Sequence, residues 1–163
     1  MRDAVVFLHI AGVATFVGAT VMLALLLRKV DRGAGDAVAR RRSLASVFQV
    51  YNPLAIAALG VVVMSGAASV TRFKQALGPS YFSVMGAYLA GKLVLAFILI
   101  MLTTWIAFGM CHPLVRRDQG ALPVTDAELD RLLARLRPAS WLTVAVAGWT
   151  LWKALRMSLP PLG

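Results

Sequence analysis

The chain has 163 residues, 60% of them hydrophobic and 15% charged, with a mean hydropathy of +0.76 and a formal net charge of +10. That balance excludes a soluble globular domain, where charged residues make up about a quarter of the chain. A membrane span needs about 20 mostly apolar residues, and four segments of that kind leave no room for a separate soluble catalytic domain.

In chain order the segments cover roughly 4–27, 53–70, 84–110 and 138–155 of one membrane domain, 1–163. The first is too long for the apolar region of a cleavable signal, and no A-x-A-type site follows it. His9 is therefore expected to stay in the mature chain. Gly33 and Gly35 mark the turn after this segment. Asn52-Pro53 marks either the start of the second span or a kink in a longer helix reaching back to Ser43. The third segment is long enough to tilt or to project a turn beyond the bilayer. Thr125-Asp126-Ala127-Glu128 then reads as a capping box, followed by Leu129, Leu132, Leu133 and Leu136 at helical spacing. This predicts a short amphipathic helix on the cytoplasmic surface, ended by Pro138, before the fourth span begins. The fold class expected is all-α, a transmembrane four-helix bundle.

Basic residues set the orientation. Arg28, Lys29, Arg32, Arg40, Arg41 and Arg42 follow the first span, and Arg116, Arg117, Arg131, Arg135 and Arg137 follow the third. Only Arg2, Arg72, Lys74, Lys153 and Arg156 fall on the opposite side. The positive-inside rule puts both rich segments in the cytoplasm and both termini outside, in a bacterial inner membrane. The same bias, with attraction to anionic headgroups, accounts for the net charge without nucleic acid as a partner. Cys111 is the one cysteine, so neither a disulfide nor a CxxC site is available.

Lys92 lies inside the third apolar segment, whereas all seven acids lie in ends or loops. Charged groups at membrane depth are costly and usually face a cavity, a partner or a cofactor. At 1.5 Å per residue, Lys92 sits about 12 Å and His9 about 7 Å below the outer boundary. Met64, Met85 and Met157 share that leaflet, and Tyr88 is one turn above Lys92. His9 is a candidate ligand to haem iron or copper, or else an imidazole hydrogen-bonded to a neighbouring helix. Gly12, one turn below it, would leave space for a flat macrocycle. Methionines in apolar helices usually pack, yet beside a histidine Met64 and Met85 are candidate thioether ligands. Lys92 either snorkels to the interface, accepts a carboxylate, or sheds its proton through desolvation. Gly86/Ala90 and Ala87/Gly91 beside it permit close helix approach or leave a slot for a planar ligand. His112 ends the third span at the opposite face, so one haem cannot take both histidines.

Leu8-His9-Ile10 through Leu27-Arg28, then Gly66…Arg72 and Tyr88…Lys92-Leu93, resemble the copper-resistance-D superfamily, which includes HemJ-type protoporphyrinogen oxidases. The resemblance covers the first three spans. It implies that His9, Arg28 and Lys92 match the first-span histidine, the arginine closing that span and the third-span lysine. HemJ-type members carry b-type haem and oxidise a tetrapyrrole, whereas copper-resistance-D members are linked to copper uptake. Where the HemJ pattern has Trp-x-His-x-Lys, this chain reads Tyr88-Leu89-Ala90-Gly91-Lys92; where it has Asn-Glu-x-Pro, Arg137-Pro138-Ala139-Ser140 stands.

The leading expectation is a b-type haem protein of electron transfer or tetrapyrrole oxidation, an oxidoreductase role. In it His9 is an axial ligand, Lys92, Tyr88 and Arg28 contact the cofactor, and Met64 or Met85 is the other ligand. Copper uptake through His9 and the methionines is the alternative. A third is a non-catalytic subunit of a homo-oligomer or larger membrane complex.

Overall fold

An apolar segment in a bilayer must satisfy its backbone internally, which favours helix. The structure is a computed structural model that describes residues 2–30, 37–119 and 125–158. It contains α1 (Arg2–Val30), α2 (Ala37–Leu77), a 3₁₀ turn (Gly78–Ser80), α3 (Tyr81–Thr104), a π-helical stretch (Trp105–Cys111), α4 (His112–Gln119) and α5 (Asp126–Ser158). No strand occurs among the described residues. The π-helical stretch joins α3 to α4 without a break, so the described residues form four helical rods. Three helices, Ala4–Lys29, Val38–Ser83 and Met85–Gln119, are long and apolar enough to cross a membrane.

The rods run well beyond the predicted spans. Segments expected as loop are helical: Arg40, Arg41 and Arg42 lie in the first turns of α2, and Arg116 and Arg117 in α4. At 1.5 Å per residue, the 41 residues of α2 extend about 60 Å, twice the bilayer core. The turn expected at Gly33 and Gly35 lies outside the described residues.

Two prolines sit inside helices. Pro53 lies within α2, which resolves the Asn52-Pro53 alternatives in favour of one long helix. Pro138 lies within α5, so the amphipathic helix and the fourth apolar segment are one element. The expectation that Pro138 ends the first of them is corrected. The proline removes the donor that the Ala134 carbonyl would accept from, but burial overrides that loss. Leu129, Leu133, Leu136, Ala139, Thr143 and Ala147 form one buried stripe that continues across the proline. The capping box forms as predicted: the Thr125 N–H donates to Glu128 Oε2 at 3.4 Å, and the Glu128 N–H to Thr125 Oγ1 at 3.3 Å.

Packing is concentrated at one end. The larger core cluster includes Leu23, Leu27, Leu44, Phe48, Leu114 and Leu133. Beside it lie three ion pairs, Arg40–Asp130 at 3.1 Å, Arg41–Asp118 at 3.1 Å and Arg117–Glu128 at 3.5 Å, which tie α2, α4 and α5 together. A smaller cluster, Phe16, Ala58, Leu59, Leu99 and Ala147, sits at mid-height. Toward the other end no further core cluster forms among the described residues, and Phe7, Ile10, Phe82 and Leu93 are exposed. The bundle is closed at its basic end and open at the end that carries His9.

One close approach holds α1 against α2 there. A Cβ at Gly12 would meet Val62 Cγ2 at 3.1 Å, Val61 Cγ1 at 3.2 Å and the Ala58 carbonyl at 3.3 Å. The space expected beside Gly12 for a macrocycle is therefore filled by α2. Gly12→Leu is expected to overpack this contact and cost about 1–3 kcal/mol, read as a lowered thermal midpoint in detergent. Gly148→Ala, where no atom stands within 4 Å of the new Cβ, serves as the control with little change.

Candidate functional site

α1 and α2 are antiparallel neighbours, and their contact sets His9 against Ser65. His9 Nδ1 lies 2.9 Å from Ser65 Oγ. The Ser65 hydroxyl has one proton, and it donates to its own helix, toward the carbonyls of Val61 at 2.5 Å and Val62 at 3.1 Å. Its oxygen is thus the acceptor, and the network assigns the ring proton to Nδ1. The Val62 carbonyl adds a backbone acceptor beside the imidazole. Nε2 is left with its lone pair available. A histidine whose Nδ1–H is tied to a backbone carbonyl or hydroxyl is oriented in the way that metal-binding imidazoles are. Next to the ring, a Cβ at Gly66 would meet only His9 Cε1, at 3.7 Å.

α3 brings Lys92 to the same end. Its ammonium lies 4.5 Å from the centre of the Tyr88 ring, one helical turn away. The ion pairs among the described residues are all at the basic end, and none involves Lys92. Its ring contact is worth about 0.5–1 kcal/mol when exposed, far less than a carboxylate partner would supply inside a bilayer. The amine is held by the ring and has no carboxylate partner among the described residues.

Helical geometry sorts the remaining candidates. Met85 is two turns above Lys92 on the same face of α3, with Tyr88 between them. Its side chain is half-buried. Met64 is adjacent to Ser65, so it leaves α2 about 100° away from the direction of His9. It is 72% exposed, and the structure does not bring it to the imidazole. Arg28 closes α1 at the basic end, 19 residues or about 28 Å from His9, and shares no site with it. The side chain of Met157 lies outside those described. Ala87, Ala90 and Gly91 are exposed, as is Lys92 itself, and no atom stands within 4 Å of a Cβ built at Gly86 or Gly91. The small residues thus do not form a slot beside Lys92.

His112 begins α4, with its ring 6.3 Å from that of Phe108. It is about 30 Å along the rod from Lys92, which keeps the two histidines apart as expected. No group of three His, Cys, Asp or Glu side chains suited to a metal ion occurs among the described residues.

Sequence reasoning missed Ser65, although a serine among valines in an apolar helix is itself a signal. It also missed the π-helical stretch, where the Asn52 side-chain amide approaches the Ala107 carbonyl at 3.5 Å. Compared with family models, curated proteins and solved structures, the chain matches none.

The tautomer is open to direct test. Solid-state ¹⁵N spectra of histidine-labelled protein in lipid are expected to show His9 protonated at Nδ1. Ser65→Ala is expected to move it toward a mixture of tautomers, while His112 stays unchanged. An Nε2-protonated His9 in the parent protein would contradict the assignment.

Proposed function

We propose that the chain is a four-span membrane protein with both termini outside, binding one b-type haem near the outer face for electron transfer or oxidation of a tetrapyrrole-type substrate. The observation that carries this reading is that His9, with its Nε2 unengaged, and Lys92, with no carboxylate partner among the described residues, stand at the same end of the bundle. A metal-centred macrocycle bearing carboxylates needs both: a neutral imidazole for the iron and a cation for a propionate. The donor set fits that group. His9 would be the axial ligand, and Lys92, steadied by the Tyr88 ring, would hold a propionate. Met85 is the thioether on the same face of α3. Haem iron supplies one-electron transfer; the chain's part is to orient the imidazole through Ser65 and to keep the site in an apolar setting. Arg28 and Met64 are left out of this site.

The topology rests on charge and composition. Basic residues cluster where α1 ends, α2 begins, and α4 meets α5, and the positive-inside rule makes that end cytoplasmic. The second half of α5 is less apolar than the other three spans, but its Trp141, Trp149 and Trp152 are exposed and suit a lipid-facing surface. The resemblance to the copper-resistance-D and HemJ-type superfamily agrees with this reading. Copper uptake is the weaker alternative, because an exposed Met64 and a lysine at the same end as His9 both count against a Cu(I) site. Docking into a larger membrane complex uses the exposed small face of α3 instead.

Protein purified from haem-replete cells is expected to show a Soret band, with α-bands that sharpen on dithionite reduction. His9→Gly is expected to abolish them and added imidazole to restore them, which separates ligand loss from misfolding. Lys92→Met is expected to lower haem retention about tenfold, the loss of one charge-assisted contact. A colourless protein without iron would end the haem reading and leave copper or complex assembly.

A further inference from the structure

Two features at the basic end have no part in the haem reading. The first is a groove of about 310 Å³ between α1 and α2, lined by Ala19, Met22 and Leu26 on one side and Val47, Val50 and Leu54 on the other. It is almost wholly apolar, and Met22 and Val50 on its rims are exposed. From Ala19 to Leu26 it runs about 10 Å along the helix, two-thirds of one leaflet of the hydrocarbon core.

The second feature is the charge at its mouth. Lys29 follows Leu26 by one turn, and Arg42 precedes Ser46, another lining residue, by one turn on the antiparallel helix. Both are exposed, and neither forms an ion pair among the described residues. By contrast, Arg40, Arg41 and Arg117 each hold a carboxylate. An apolar slot at membrane depth that opens beneath two free cations matches one kind of molecule: a lipid with an anionic headgroup.

We propose that the α1–α2 groove seats one acyl chain of an anionic phospholipid from the leaflet at the basic end, with its phosphate held between Lys29 and Arg42. The site rests on the chain crossing a bilayer and is independent of haem binding. The bound chain covers apolar surface that α1 and α2 leave open, and the headgroup bridges the end of α1 to the start of α2.

The test uses delipidated full-length protein in detergent, titrated with phosphatidylglycerol or phosphatidylcholine and read by native mass spectrometry. One phosphatidylglycerol is expected to bind at least tenfold more tightly than phosphatidylcholine. The double variant Lys29→Gln/Arg42→Gln is expected to lower phosphatidylglycerol affinity about tenfold. Arg116→Gln/Arg131→Gln removes the same charge from exposed positions away from the groove and is expected to change it little. Val50→Trp fills the groove from its lipid-facing rim and is expected to remove the tight site while leaving the thermal midpoint near that of the parent. Equal binding of the two lipids, or equal loss in both double variants, overturns the site in favour of a diffuse charge effect. Full competition by inorganic phosphate overturns it in favour of a free-anion site.

Discussion

The hydrophobic effect drives helix association only where water is the alternative, and that constraint shapes the whole molecule. Inside a bilayer a leucine gains nothing by leaving lipid for a neighbouring helix, so packing rests on close contact and polar bonds. The rods extend past the spans at the basic end, and there Leu44, Phe48, Leu114, Leu129, Leu133 and Leu136 are buried much as in a soluble bundle. The partly buried Arg41–Asp118 pair lies in the same region, its side chains 16% and 19% exposed. At the other end α1 and α2 remain together through Gly12, while Phe82, Leu93, Val94, Phe97 and Ile98 of α3 are uncovered.

An open end is also where polar groups can be kept ready for a ligand. His9 is fixed by a hydroxyl that has already given its proton to the helix, which leaves Nε2 unengaged. Lys92 is fixed by an aromatic face, with no carboxylate partner among the described residues. Both side chains are positioned by α1–α2 contact or by local helix geometry, so neither depends on the tight core. This division places the tight core and the His9 and Lys92 side chains at opposite ends of the same rods.

Much of this was legible in the sequence. Apolar run length predicted the helices, the Thr125–Glu128 box predicted the start of α5, and helical depth led to the expectation that His9 and Lys92 share one leaflet. The misses have physical causes. Pro138 reads as a stop because its ring removes a donor, but a stripe of buried leucines and alanines on both sides makes continuing the helix cheaper than ending it. Met64 and Met85 look equivalent by depth; only the direction of Ser65 shows that Met64 turns away. Gly12 reads equally as a slot or as a contact, since a glycine in a sequence does not say which neighbour approaches it. The π-helical stretch from Trp105 to Cys111 has no counterpart in hydropathy.

The most direct measurement is the hyperfine spectrum of the oxidised protein carrying ¹⁵N-labelled histidine, recorded on His112→Gln so that His9 is the only histidine. The account expects one strongly coupled histidine nitrogen at the iron, the Nε2 of His9. A spectrum with porphyrin nitrogens alone, or a histidine coupling that survives in His9→Gly but not in His112→Gln, would contradict it.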